Sequence, residues 1–140
     1  MPFVMRAKVL LLSLLLGGTC MQDARADTRA CSQKEAIAAE EGSNRIGSWD
    51  QLYEAYRKYA HCDDGAISEG YTYSVTGLLV NQWGRFPKFI GLVNKASDFG
   101  DFVISHINET MSLSEVNTIV VNTHTKCPSQ AVLLCARVRE

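Results

Sequence analysis

The densest group of side chains that could perform chemistry is His61-Cys62-Asp63-Asp64, followed by Glu69. A histidine beside carboxylates can transfer protons or bind a metal ion, and a cysteine beside a histidine can act as a nucleophile. The same residues have a structural interpretation, because an aspartate at the start of a helix caps it and cysteines of exported proteins are commonly oxidised. The pattern favours the structural interpretation: Asp63 or Asp64 caps a helix, and Cys62 belongs to a disulfide.

The other motifs that would indicate an enzyme or a metal protein are missing from the sequence. It has no Cys-x-x-Cys pair, no Gly-x-Ser-x-Gly elbow and no glycine-rich phosphate loop. Of the two further histidines, His106 falls on an apolar helical stripe and is expected to be a packed, hydrogen-bonded core residue, and His124 lies at a helix end. We expect no catalytic residue, no metal site and no cofactor.

The first 26 residues have the pattern of an export signal. Arg6 and Lys8 precede an apolar stretch at 9–16, and Ala24-Arg25-Ala26 supplies small residues for cleavage. The apolar stretch is too short to span a bilayer as a stable helix. The sequence therefore predicts a cleaved signal peptide over 1–26 and a mature protein, from Asp27 onward, in the periplasm or secreted.

Cys20 offers a competing interpretation, in which the chain is cut and acylated at this cysteine. The preceding Gly17-Gly18-Thr19 fits a lipid-attachment box poorly, because Leu16 stands too far away and Thr19 is larger than the usual small residue. We expect cleavage after Ala26 rather than a lipid anchor.

Charge and hydropathy narrow the range of partners. Residues 1–26 hold three basic residues and one acidic residue, so the formal net charge changes from −1 for the chain to −3 for residues 27–140. Binding of nucleic acid normally needs a basic surface. No second apolar run reaches the length of a transmembrane helix. We therefore expect a protein partner, with no nucleic acid and no membrane span.

Four cysteines remain after the predicted cleavage: Cys31, Cys62, Cys127 and Cys135. An even number in a small exported domain indicates disulfides, and four cysteines allow three pairings. We favour Cys31–Cys62 and Cys127–Cys135, because each cysteine is then joined to its nearest partner in sequence.

The spacing of apolar residues is helical throughout, and no stretch alternates as a strand would. Capping-box patterns occur at Ser48…Gln51 and Ser112…Glu115. The predicted helices cover 31–41, 49–60, 64–83, 87–93, 97–107 and 113–123, followed by a short apolar tail at 129–138. The apolar stripe expected for the helix at 113–123 is Leu113, Val116, Ile119, Val120 and Thr123. Residues 27–140 are predicted to form a single all-α domain, a compact bundle of six or seven short helices with two disulfides.

Exposed aromatic and charged residues are the candidates for binding a partner. Tyr53 and Tyr73 fall outside the main apolar stripes, and tyrosines are favoured at binding surfaces. The turn near Arg85 and Phe86 combines a cation, an aromatic ring and a rigid proline. The candidate partner-binding residues are His61, Asp63, Asp64, Tyr53, Tyr73, Arg85 and Phe86.

The chain resembles, in outline, the small periplasmic immunity proteins of Gram-negative bacteria that neutralise secreted cell-wall amidases. The shared features are the signal sequence, the length of the mature part, two cysteine pairs, and a cysteine leading into a helix with Gly70-Tyr71. The resemblance implies a non-enzymatic inhibitor of a toxin or cell-wall hydrolase, and it assigns no binding residue. The alternatives are a metal-dependent or hydrolytic enzyme using His61, Asp63, Asp64 and Glu69, and a secreted effector or envelope structural component.

Overall fold

The computed structural model describes residues 29–140. The expected signal peptide and Cys20 lie outside this range. Within it the chain forms seven α-helices and no strand, so the predicted all-α fold is confirmed. The helices are α1 (Gln33–Ser43), α2 (Trp49–Tyr59), α3 (Gly65–Asn81), α4 (Phe86–Val93), α5 (Ser97–Ser105), α6 (Leu113–Thr125) and α7 (Val132–Val138). Short 3₁₀ turns at Ala60–Cys62, Trp83–Arg85 and Ser129–Ala131 lie in the connections.

Side-chain caps set the starts of several helices. The expected range 31–41 for α1 was wrong at both ends, because Ser32 caps the helix in a reciprocal capping box with Glu35 and the helix continues to Ser43. The box predicted at Ser112 and Glu115 is confirmed at the start of α6. At α2 only half of the predicted box forms: Ser48 accepts the backbone N–H of Gln51, whose side chain accepts from Gly47 instead.

Helix α3 is the central element of the bundle. Asp64 caps it, as the sequence suggested, by accepting the backbone N–H of Gly65. Nine of its 17 residues are buried, including Ile67, Tyr71, Val75, Leu78 and Leu79 of the apolar stripe predicted for this helix. The last two residues of that stripe lie beyond the helix, where Trp83 is buried and Gln82 is half-buried. The helix ends at Asn81 rather than at residue 83, because the chain turns into a 3₁₀ turn.

Buried residues from all seven helices belong to one hydrophobic cluster. Its densest part is aromatic: Trp49 stacks on Phe89 with ring centroids 4.5 Å apart, and Phe99 contacts Tyr53, Tyr56 and Phe89. Edge-on and tilted ring pairs of this kind add to the free energy gained from burial alone. The core therefore joins α2, α4 and α5 through ring contacts, with α3 beside them.

The predicted disulfide pairing is confirmed for both bridges. Cys31 is joined to Cys62, and Cys127 is joined to Cys135. The first bridge ties the segment before α1 to the turn before α3, and the second ties the end of α6 to α7. No helix within residues 29–140 has both the length and the apolar character needed to cross a membrane.

The apolar stripe expected on α6 was wrong at its start. Leu113 is 89% exposed and Val116 is also exposed, whereas Ile119 and Thr123 of the same stripe are buried. Helix α6 packs against α3 and α7 along a narrow face that also includes Asn122. Its first turn extends past the core, so apolar spacing overstated the width of the buried face.

Two glycines of α3 provide a matched test of the packing. A Cβ atom at Gly70 would lie 2.8 Å from Ser43 Cβ and 3.2 Å from the Asn44 nitrogen, whereas a Cβ at Gly77 would meet nothing within 4 Å. We expect Gly70→Ala to lower the free energy of unfolding by about 1–3 kcal/mol through overpacking. Gly77→Ala should raise it by about 0.5–1 kcal/mol, because alanine favours the helix. Urea unfolding of the disulfide-intact variants measures both, and shifts of the same sign would contradict this account.

The capping box of α6 predicts a pH-dependent contribution to stability. Hydrogen bonds from the Ser112 hydroxyl, and then from its backbone N–H, hold the pKa of Glu115 below its ordinary value of 4.5. A carboxyl whose pKa is lower in the folded state stabilises the protein above the unfolded value, and this contribution is lost as the pH falls through the folded pKa. Glu115→Gln should therefore lower the Tm at neutral pH, and the difference should shrink as the pH falls below 4.5 and through the lower folded-state pKa.

Thermal melts across this pH range measure the effect. Glu109→Gln is a suitable control, because Glu109 is an exposed glutamate that belongs to no capping box, whereas Glu115 is half-buried. If the Tm difference between Glu115→Gln and the wild type stays constant at the lowest pH measured, the charge of the Glu115 carboxylate does not contribute to stability.

Candidate binding site

A cavity of about 630 Å³ lies on the surface of α3. Helix α3 forms its floor, Ile46 from the α1–α2 connection lines one side, and Thr110, Met111 and Glu115 from the start of α6 and the loop before it line the other. We call this cavity the α3 groove. It is open to solvent, and secondary-structure elements on both sides hold its shape.

The exposed floor of the α3 groove is a row of residues spaced four apart: Glu69, Tyr73, Gly77 and Asn81. Residues at this spacing lie one above another on a helix face. Tyr73 is 71% exposed, and it is the one exposed aromatic side chain within residues 29–140. Gly77 lies one turn along the helix from Tyr73. A Cβ atom added there would meet no other atom of residues 29–140 within 4 Å, so the floor is open beside the tyrosine ring.

The charges of the α3 groove have one sign. Glu69 and Glu115 are its charged lining residues, and no lysine or arginine lines it. The Ser112 hydrogen bonds lower the pKa of Glu115 and so favour its ionised form. They use its Oε2 atom, and no hydrogen bond to Oε1 is found within the described chain. The groove therefore presents an aromatic ring together with two acidic groups.

A chain of polar side chains runs beneath one edge of the groove. His106 is 2% exposed; its Nδ1 lies 3.1 Å from Thr72 Oγ1, and its Nε2 lies 3.1 Å from Asp63 Oδ2. A carboxylate only accepts hydrogen bonds, so Nε2 donates to Asp63, and in the neutral imidazole Nδ1 then accepts from the Thr72 hydroxyl. Asn108 Nδ2 donates to Thr72 Oγ1 at 3.2 Å. The expectation of a packed, hydrogen-bonded His106 is confirmed.

The order hydroxyl, imidazole, carboxylate is also found in nucleophilic enzymes. In this chain the Thr72 residue is buried and its oxygen is already in contact with both Asn108 and His106. Every hydrogen-bonding group of the imidazole is satisfied, as burial of a polar ring requires. We interpret the chain as a structural link between α3, the turn before it and the end of α5.

Two buried oxygens at this polar chain have no hydrogen-bond partner among residues 29–140: Asp63 Oδ1 and Tyr71 Oη. Burial raises the pKa of Tyr71, and the nearby charge of Asp63 raises it further. Both effects disfavour the tyrosinate. Tyr71 therefore stays a neutral phenol beside the carboxylate.

His61 has different neighbours from Asp63. Its side chain is 3% exposed, its Nε2 lies 3.3 Å from Glu35 Oε1, and Arg29 Nη2 lies 3.1 Å from the same nitrogen. Arg29 also pairs with Glu35 at 3.3 Å. These contacts lie next to the Cys31–Cys62 bridge and attach the beginning of the described chain to the turn before α3.

Comparisons with known families, curated proteins and solved structures find no match for this chain.

The remaining predicted binding residues lie in separate places. Phe86 is 1% exposed and stacks on Trp83 with ring centroids 4.2 Å apart, so it offers no surface to a partner. Tyr53 is partly buried and packs edge-on against Phe99, so the expectation that it is exposed was wrong.

Two predicted binding residues are exposed: Arg85 lies in the turn after α3, and Asp64 lies at the start of α3. Of the predicted residues, Tyr73 alone lies in the α3 groove.

The residues of the enzymatic alternative are not brought together. His61 contacts Glu35, Asp63 contacts His106, Asp64 caps α3, and Glu69 lies in the groove. Within residues 29–140 no group of three or more histidine, cysteine, aspartate or glutamate side chains is arranged to hold a metal ion.

Sequence reasoning missed most of the groove. A helical projection of α3 would have placed Glu69, Gly77 and Asn81 with Tyr73 on the face opposite the apolar stripe. The contribution of Glu115 and the link from Thr72 through His106 to Asp63 depend on residues distant in sequence. No local pattern signals them.

The polar chain can be tested at Thr72. Thr72→Val keeps the shape of the side chain but leaves the acceptor nitrogen of His106 and the amide of Asn108 without their shared partner. We expect the free energy of unfolding to fall by about 1–3 kcal/mol. Thr76→Val is the matched control, because Thr76 is a buried threonine of the same helix whose hydroxyl donates only to the Thr72 carbonyl oxygen. Equal losses for the two variants in urea unfolding would show that the polar chain adds no stability.

Proposed function

We propose that this protein is an exported, non-enzymatic binding protein that inhibits a secreted toxin or cell-wall hydrolase, as an immunity protein does. The proposed site of action is the periplasm, and the proposed leader is the segment at residues 1–26. The Cys31–Cys62 and Cys127–Cys135 bridges support this compartment, because disulfides persist where the environment is oxidising.

The observation that carries the proposal is Tyr73 in the α3 groove. An aromatic ring of this size that is 71% exposed on the central helix makes no contribution to the core. Tyrosines of this kind are enriched among the residues that supply most of the binding energy in protein interfaces. The open floor at Gly77 leaves room beside the ring for part of a partner.

The rigidity of the groove supports tight binding. Its floor is a helix with nine buried residues, and one of its sides begins at the capping box of α6. A preformed surface loses little conformational entropy when a partner binds, so more of the contact energy appears as affinity. Strong inhibition by a small protein depends on this property.

The partner class comes from the outline resemblance to periplasmic immunity proteins. A cell that exports a toxin or a cell-wall hydrolase needs an inhibitor in the compartment where the enzyme acts. A small disulfide-bonded protein with an exposed binding surface fits that requirement.

The first experiment uses tagged, disulfide-intact protein from Asp27 onward to capture partners from envelope and secreted fractions. Mass spectrometry identifies the captured protein, and its hydrolytic or toxic activity is then measured with increasing amounts of the inhibitor. We expect stoichiometric loss of that activity. Tyr73→Ala should weaken the association by about ten- to a hundredfold, as loss of a central interface tyrosine does.

Leu133→Ala is the matched control, because Leu133 is 83% exposed on α7 and lies outside the groove. It should bind the partner as the wild type does. The proposal fails if no secreted enzyme is captured and inhibited, or if the captured protein is equally active with and without the inhibitor. Recovery of the protein mainly from culture medium would favour an effector instead.

A further inference from the structure

The α3 groove has the features of a site for a planar cation. Glu69 and Tyr73 are four residues apart on α3, so their side chains are neighbours on the helix surface. A guanidinium lying on the face of the tyrosine ring would be within reach of a carboxylate one turn away. Aromatic faces attract cations, and carboxylates bind guanidinium groups through two hydrogen bonds.

The charge of the groove selects against other occupants. Both of its charged lining residues, Glu69 and Glu115, are acidic. An acidic segment would meet repulsion from both carboxylates, and a purely apolar segment would leave them without a partner. Neither glutamate takes part in an ion pair within the described chain that would neutralise it.

We propose that the α3 groove binds an arginine side chain carried by an extended segment of the partner protein. The nature of the partner rests on the proposed function, but recognition of arginine can be tested without it. Arginine fits better than lysine, because its planar group stacks on a ring and pairs with a carboxylate at the same time. The open floor at Gly77 accommodates the backbone of the segment, and the exposed Asn81 amide provides a hydrogen-bonding group next to it.

The test uses three acetylated and amidated tripeptides, Gly-Arg-Gly, Gly-Lys-Gly and Gly-Glu-Gly, titrated into isotopically labelled, disulfide-intact protein. Shifts of the amide NMR signals report the affinity and the place of binding. We expect the arginine peptide to bind most tightly, the lysine peptide more weakly and the glutamate peptide not at all, with shifts centred on residues 69–81. Binding should weaken as salt rises from about 50 mM to about 500 mM, because the charges are exposed.

Single substitutions distinguish the contribution of the Tyr73 ring to binding from that of the Glu69 carboxylate. Tyr73→Ala and Glu69→Gln should each weaken binding of the arginine peptide by about two- to fivefold, the range expected for exposed cation–π contacts and ion pairs. Tyr73→Phe should retain most of the affinity, since it keeps the ring. Gly77→Lys places a competing cation on the open floor and should abolish binding. Glu54→Gln is the control for the loss of one negative charge, because Glu54 is an exposed glutamate on α2, outside the groove. This substitution should leave binding of the arginine peptide unchanged.

Equal binding of the arginine and glutamate peptides, or shifts centred away from α3, would overturn the proposal. The spectra of the variants also show directly whether each one is folded. If the arginine peptide binds as described and no enzyme is inhibited, the proposed function fails and the recognition of arginine stands. If an enzyme is inhibited equally by wild type, Tyr73→Ala and Glu69→Gln, the inhibitor function stands and this proposal fails.

Discussion

Helix α1 crosses helix α3 at Gly70, where the Ser43 side chain occupies the space that a Cβ atom would need. The Ser74 hydroxyl, one turn further along α3, donates to the Ser43 carbonyl oxygen and fixes the same crossing. The flank of α3 on the other side is covered by His106, which contacts Thr72. Because neighbouring elements cover both flanks of α3, the row at Glu69, Tyr73, Gly77 and Asn81 between them stays open to solvent. The groove is a consequence of that arrangement.

Directional bonds connect this row to the rest of the protein. Asp63 follows the bridged Cys62 and bonds to His106, so the disulfide and the buried imidazole hold the same turn. Apolar contacts permit small shifts of one helix along another, whereas a bonded polar chain in a low-dielectric interior specifies one position. Helix α3 is therefore fixed at its beginning by the cap and the turn, and along its length by packing. A binding surface on such a helix has little freedom to rearrange.

The features predicted correctly from the sequence are local. Helical spacing identified the elements, Ser112 was identified as a cap, the cap of α3 was narrowed to Asp63 or Asp64, and the nearest cysteines are joined. The errors occurred where tertiary packing decides the outcome, as at Leu113, whose apolar character says nothing about how far the first turn of α6 extends past the core. The candidate site depends still more on tertiary structure. Tyr73 was recognised because it is off the stripe, but Glu115 reaches the same groove only through the packing of α6 on α3.

The short connections between helices have a consequence for resistance to proteolysis. The longest connection in the described chain, residues 106–112, is itself held by buried His106 and by Asn108, whose side-chain oxygen accepts from the backbone and hydroxyl of Thr110. Proteases cut where an exposed loop can be drawn out into an extended strand. Within residues 29–140 the short connections offer few such strands unless helices separate. Unfolding of the bundle therefore limits proteolysis of this part of the chain more than the accessibility of its loops does.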